Sequence, residues 1–288
     1  MKRWSPFVTA MLIVLSAILL SFLIKGGSPL KSSLLPFKRV GLVEINGVIS
    51  SSKEIVDWID ELENDKNVPV ILVRINSPGG GVVPSYEIYE KLLEAKEKGK
   101  KIVISMGSLA ASGGYMIACA GDVIMANPGS ITGSIGVILQ TPDFSGLMDK
   151  IGVRMNTIKS AKYKDIGSPY RPMKTDEKEI LKGVIMDAYD QFVEIVSKSR
   201  YMSVDSVKKI ADGRIFTGRQ ALEIGLVDTL GTMEDAVNLA ASIGGLKTPT
   251  AIRKKPKKKV TIFDLLNNQV SELLIPFRLM YMAEIQPQ

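Results

Sequence analysis

"VILVRINSPGGG" (Val70–Gly81) joins a near-continuous apolar run, rich in β-branched residues, to a proline and three consecutive glycines. Such a run predicts a strand buried on both faces, the kind found in parallel sheets that helices cover on each side. The alternation continues outward from it. Upstream, "VGLVEI" (Val40–Ile45) reads as a strand and Lys53–Glu63 as an amphipathic helix. Downstream, Ser85–Lys98 carries Ile88, Leu92 and Ala95 at helical spacing, and "KIVISM" (Lys101–Met106) reads as a second buried strand. A short small-residue turn follows it, and then "DVIMA" (Asp122–Ala126). Asp176–Val196 reads as a long helix with Asp176 and Glu179 as its capping box. "FTGRQALEIGLVD" (Phe216–Asp228) reads as turn, short helix, glycine stop and strand. Strand–helix repetition of this kind predicts α/β layers around a mainly parallel sheet, in one domain over residues 40–245 without internal repeats.

Composition narrows the chemistry. The 288 residues contain no histidine and one cysteine, Cys119, so an internal disulfide and the usual zinc, copper and haem ligand sets are ruled out. No Asp-rich calcium loop and no glycine-rich phosphate loop ending in Lys-Ser/Thr occurs, and "SPGGG" is not a dinucleotide fingerprint. No metal and no cofactor is therefore expected. The net charge of +7 sits in the flanks: residues 1–39 hold six basic and no acidic residues, and "RKKPKKK" (Arg253–Lys259) holds six more. With both set aside, the remainder carries −5. That distribution favours membrane-surface contact and argues against nucleic acid as a partner.

"FVTAMLIVLSAILLSFLI" (Phe7–Ile24) runs 18 residues without a charge, behind Lys2 and Arg3. It is long enough for a transmembrane helix, and "SFLIKGG" offers no small-x-small cleavage site, so an uncleaved anchor over 7–24 is expected. Residues 1–6 form its flank and 25–39 a linker. Basic residues on the two sides roughly balance, so charge bias leaves the orientation open. The region 246–288 is a basic, amphipathic tail. It reads either as a solvated linker with a packing helix, or as a segment that touches anionic lipid or returns toward the site.

"MGSLAASGGYMIACAG" (Met106–Gly121) is built almost wholly of small residues. Ser112 precedes a Gly-Gly pair at the start of a predicted helix, where free N–H groups favour developing negative charge. It reads either as a nucleophile or as a simple helix cap. "NSPGGG" adds a backbone nest able to supply the two preorganised donors that an oxyanion needs. Without histidine, the base for such a serine would be a lysine. A lysine with an unperturbed pKa of about 10.4 is well under 1% neutral at pH 7, so burial must lower it by roughly three units, about 4 kcal/mol. Ser-Lys pairs are a known variant of triad logic.

Five motifs in consistent order carry a resemblance: "NSPGGG", "GSLAASGGY", "ITGSIGV" (Ile131–Val137), "IKSAKYKDIGSPYRPM" (Ile158–Met173) and "ADGRIFTGRQALEIGLVD" (Ala211–Asp228). From about Val40 to Gly245 the chain resembles the short form of the signal peptide peptidase A family, peptidase family S49. The resemblance implies a ClpP/crotonase-like fold and a membrane-anchored, ATP-independent serine endopeptidase. By motif position, Ser112 resembles the nucleophile, Lys164 the general base and Ser134 the serine that orients the lysine. Gly80 and the N–H of Gly113 resemble the oxyanion donors. Lys159 and Lys162 are the rival bases, and Ser108 is expected to be structural. The family also implies an N-in anchor with an extracytoplasmic catalytic domain. It implies a ring-like homo-oligomer, in which the dyad can form across protomers, and substrates that are remnant signal peptides in or near the membrane lipid. Two alternatives share the fold: an anchored protease clipping stomatin-like membrane proteins, and a crotonase-like acyl-CoA protein lacking a nucleophilic serine.

Overall fold

A computed structural model of the chain describes residues 38–247, 249, 252–254 and 279–282. The expected anchor over 7–24, residues 25–37 of the linker and most of the tail lie outside the described residues. Among the described residues, no helix is long and apolar enough to cross a membrane.

The predicted buried strand is β2 (Val70–Ser77), flanked by β1 (Val40–Asn46) and β4 (Lys101–Ala111), both parallel to it. β5 (Val123–Ala126) and β9 (Thr229–Leu230) extend the sheet on one side, and β10 (Ile252–Lys254) extends it on the other, all in parallel. Alternation along the central strands divides their side chains between two cores. Val43, Ile45, Ile71, Val73, Ile75, Ile102 and Ile104 face one side. There they meet Trp58, Ile59 and Leu62 of α1 (Lys53–Asn64) and Ile88, Leu92 and Ala95 of α2 (Val82–Glu97). Val40, Leu42, Val70, Leu72 and Val103 face the other, against Ala236, Ala240 and Ala241 of α8 (Met233–Ile243). Each fully buried Ile, Leu or Val contributes about 1.5–3 kcal/mol by leaving water, so the doubly covered sheet is where stability concentrates. The mixed sheet-and-helix fold matches the expected α/β class.

One expectation is corrected at the end of β4. The small-residue stretch after Met106 is not a turn; the strand continues to Ala111. Its register against β2 slips between Ile75 and Ser77, so that Gly107 and Ser108 bulge out of the ladder. Beyond the bulge, Leu109–Ala111 pairs in parallel with β6 (Ile131–Gly133), which pairs antiparallel with β8 (Ile215–Thr217). Ladder bonds from β6, reinforced by Ser130 donating to Gly107 O and Thr132 donating to Ala110 O, override the weak strand propensity of Gly and Ala. Ser108 is exposed on the bulge.

The long helix, α5 (Thr175–Arg200), starts one residue earlier and ends four later than expected. Its capping carboxylate is Glu177, which accepts the Lys174 N–H at 2.9 Å, rather than Glu179. In the "FTGRQALEIGLVD" stretch the expected opening turn is instead the end of β8, the short helix is α7 (Gly218–Glu223) with a positive-φ turn at Gly225, and the expected strand starts only after the stretch, as β9. In α7, Thr217 accepts the Gln220 N–H as its cap.

Candidate active site

Ser112 links β4 to α3 (Gly113–Ala118) at the carboxyl end of a parallel strand, where open α/β sheets place their sites. Its backbone is turned to φ 53, ψ −118, a region L-residues other than glycine rarely adopt. The Ser112 N–H donates to Gly133 O at 2.8 Å, and its carbonyl accepts the Met116 N–H at 2.9 Å. The side chain is fully buried, and among the described residues its Oγ has no hydrogen-bond partner. It makes no cap bond, which removes the reading of Ser112 as a mere helix cap.

Ser134 follows Gly133 as Ser112 follows Ala111, and Ala111 and Gly133 are register partners across β4 and β6. The two serines therefore leave adjacent strand ends side by side. Ser134 is also at positive φ (51°), 6% exposed, with its N–H donating to Arg214 O at 2.8 Å. A cavity of about 520 Å³ opens beside it, lined by Val137, Met186, Tyr189, Asp212 and Arg214 among others.

The three glycines form a short strand, β3 (Gly79–Gly81), rather than a nest with every N–H turned to one site. Gly79 donates to Ser77 Oγ at 3.0 Å and Gly81 to Ile49 O at 2.9 Å, while Ile49 donates to Gly79 O. Strand alternation then points the Gly80 N–H away from Ile49, as an oxyanion donor requires. Gly80 cannot carry a side chain, because a Cβ there would lie 2.2 Å from Ile49 O. Gly114 packs against the carbonyl of Ser77, so α3 and β3 meet and Gly113 lies in the same neighbourhood. On the side facing away from Ile49, β11 (Leu279–Met282) pairs antiparallel with β3, Tyr281 opposite Gly80. Its other edge pairs antiparallel with β7 (Ile138–Leu139). A strand of the chain's own tail thus fills a lane between β3 and β7, beside α3.

Within one chain no hydrogen bond joins the lysine to either serine among the described residues. Lys164 lies in an exposed turn, and among the described residues no hydrogen bond or ion pair engages its side chain. The rivals are engaged: Lys159 pairs with Asp165 at 2.5 Å, and Lys162 pairs with Asp176 at 2.6 Å and sits 4.8 Å from the Tyr163 ring centre. The Asp176 and Tyr163 bonds hold the Lys162 ammonium well above the ordinary lysine range, the wrong direction for a base at neutral pH. Arg171, which stands inside the "IKSAKYKDIGSPYRPM" motif, and Glu177, just beyond it, lock this turn, and neither was singled out from the sequence. The preceding segment is apolar and uncovered: Phe144, Leu147, Ile151, Val153, Met155 and Ile158 are exposed. They include the whole apolar set of α4 (Ser145–Ile151) apart from Met148. Among the described residues there is no cluster of acidic or cysteine side chains able to hold a metal.

Residues 94–247 match the model of peptidase family S49, and residues 42–131 match that of the Clp proteases. The chain is 49% identical over 211 residues to a Synechocystis sp. protein named as a candidate protease, covering 73% of this chain and 76% of that one. It is 36% identical over 248 residues to an Enterococcus faecium protein named as a candidate signal peptide peptidase, covering 82% and 72%. A chloroplastic serine protease of Arabidopsis thaliana is 32% identical over 215 residues, 74% of this chain and 30% of its own length. The crotonase-like acyl-CoA alternative does not survive these matches: the chain belongs to peptidase family S49 and is a serine peptidase.

Proposed function

We propose that the protein is a membrane-anchored, ATP-independent endopeptidase that uses Ser112 as nucleophile and Lys164 as general base on remnant signal peptides and other membrane-associated peptides. The observation that carries this reading is the buried, unpartnered Ser112 Oγ on a strained strand-to-helix turn. An orphaned hydroxyl there costs stability that the surrounding fold must offset, a pattern found where a side chain is held ready to react. The lane between β3 and β7 supports peptide as the substrate, since it already accepts a strand of polypeptide beside Gly80.

In the proposed reaction, neutral Lys164 removes the Ser112 hydroxyl proton as Oγ bonds to the scissile carbonyl carbon. The negative oxygen is held by the N–H groups of Gly80 and Gly113. The C–N bond then breaks, and the protonated lysine gives its proton to the leaving amine. Water, deprotonated by the same lysine, attacks the acyl-serine and releases the carboxylate product with Ser112 restored. Ser134 accepts or donates a hydrogen bond that aims the amine at Ser112.

For that geometry a lysine must reach a serine with which no hydrogen bond joins it within one chain. The exposed apolar segment ahead of Lys164 fits a second copy of the chain, so we place the dyad across protomers of a homo-oligomer, ring-like in form. Closure of that interface removes water from the amine and favours its neutral form. The uncharged run at 7–24 supports a membrane anchor; its N-in orientation, with the catalytic domain outside the cytoplasm, rests on the family resemblance. Ser112→Ala and Lys164→Ala are each expected to abolish cleavage of a signal-peptide substrate while the fold and assembly persist. Fluorophosphonate labelling should be lost in Ser112→Ala. Near-normal turnover by Lys164→Ala would show the base assignment to be wrong.

A further inference from the structure

The turn that carries Lys164 is held at both shoulders while, among the described residues, no bond engages the Lys164 side chain itself. On one side, Lys162 pairs with Asp176 and the Tyr163 hydroxyl donates to Asp176 at 3.1 Å. On the other, a single guanidinium gathers the turn and the start of α5. Arg171 Nε donates to Asp165 Oδ2 at 2.9 Å, and Nη2 donates to the Asp165 carbonyl at 3.2 Å. Nη1 and Nη2 donate side by side to the two oxygens of Glu177, at 2.8 and 2.5 Å. Nη1 also donates to Pro172 O at 3.2 Å, so all five N–H groups of Arg171 are used. Glu177 is 1% exposed on the first turn of a 26-residue helix, a rigid base for the assembly. Asp165, adjacent to Lys164, is held through both its carboxylate and its backbone carbonyl.

We propose that Arg171 is the positioning residue of the dyad: bridging Asp165 to Glu177, it fixes the turn from which Lys164 is presented to Ser112. This rests on the reading of Lys164 as the general base. A bidentate guanidinium on a buried carboxylate supplies two distances and an angle at once, which a lysine at the same place cannot do. Fixing the turn on α5 sets the height and direction of Lys164 without touching the substrate. Losing the bridge therefore leaves the peptide lane intact and misplaces only the base.

The experiment is steady-state hydrolysis of a signal-peptide substrate by the full-length Arg171→Ala and Arg171→Lys proteins, with melting curves for each. Both are expected to lose kcat by about 100-fold, the scale of a misplacement of roughly 1 Å, with KM nearly unchanged. Millimolar guanidinium is expected to restore part of the kcat of Arg171→Ala and nothing to Arg171→Lys, whose side chain still fills the site. Should Arg171→Ala lower the folded fraction, Asp165→Asn is the second variant, expected to lower kcat in a protein that melts like the wild type. Wild-type kcat in Arg171→Ala or Asp165→Asn overturns the proposal, as does a loss of activity that only follows the loss of folded protein. Lys164→Ala run in parallel separates the two readings. If it retains turnover, the base assignment fails; if it is inactive while Arg171→Ala is normal, only the positioning role fails.

Discussion

Ser112, Ser134 and Tyr201 are the non-glycine residues at positive φ among the described residues, and two of the three face the candidate site. Strain of this kind costs on the order of 1–3 kcal/mol per residue and persists only where the surroundings enforce it. Replacing Ser112 by glycine removes both the strain and the unpartnered buried hydroxyl. Ser112→Gly is therefore expected to raise the unfolding free energy by about 1–3 kcal/mol while abolishing peptide cleavage, read by urea denaturation and hydrolysis assays. A destabilised Ser112→Gly protein would contradict Ser112 as a strained, functional residue. Gly80 offers the opposite test. A methyl group there would lie 2.2 Å from Ile49 O, a backbone atom, so β3 must move. Gly80→Ala is expected to lower kcat by about 100-fold or more through the displaced oxyanion donor, with fluorophosphonate labelling slowed in parallel. The serine and the glycines were legible in the sequence because small residues crowd together chiefly where backbone must approach a neighbour or a reacting group closely. The left-handed backbone at Ser112 and Ser134 was not, because nothing in a serine's side chain specifies it.

At the scale of elements, the central strands follow directly from their composition, since a strand apolar on both faces must be covered on both. Ile71 is fully buried in the middle of the sheet. Ile71→Ala is expected to cost about 2–5 kcal/mol, seen as a lowered denaturation midpoint with the slope unchanged. Where elements met polar groups the sequence was less readable. The α5 cap was expected at Glu179, yet Glu177 holds that place because Arg171 and the Lys174 N–H converge on it. Those same bonds, Arg171 first and then the Lys174 N–H, lower the Glu177 carboxyl from its ordinary 4.5 to about 2. A carboxylate with a depressed folded-state value adds stability above its unfolded value and loses it as the pH falls through the folded one. Stability is therefore expected to decline as pH drops from about 4.5 through about 2, and Glu177→Gln is expected to show a shallower decline over that window. Denaturation midpoints measured across it would check this.

For the whole molecule, a chain without histidine must pass the serine proton elsewhere, and within a single chain no hydrogen bond joins Ser112 to Lys164. If the dyad forms across protomers, mixing inactive Ser112→Ala with inactive Lys164→Ala should restore cleavage, because some interfaces then pair an intact serine with an intact lysine. No recovery after verified subunit exchange would place the dyad elsewhere. The tail has its own consequence. If the lane between β3 and β7 that β11 fills is the peptide lane proposed above, β11 competes there with an incoming peptide. Deletion of residues 276–288 is expected to lower KM for short peptides several-fold while leaving kcat unchanged. By themselves, the residues determined the layered α/β class and the absence of a histidine base, because periodicity and composition are local properties of the chain, while the serine-based chemistry was legible only through the resemblance that five ordered motifs carry. Only the tertiary structure decided that β4 runs on past its bulge to Ala111 and that Ser112 and Ser134 leave neighbouring strand ends. It alone also decided that Arg171 joins Asp165 to Glu177 and that the tail adds a strand beside the glycines. Each of these depends on hydrogen bonds between segments distant in sequence, and such pairings are settled by which surfaces meet in the folded chain.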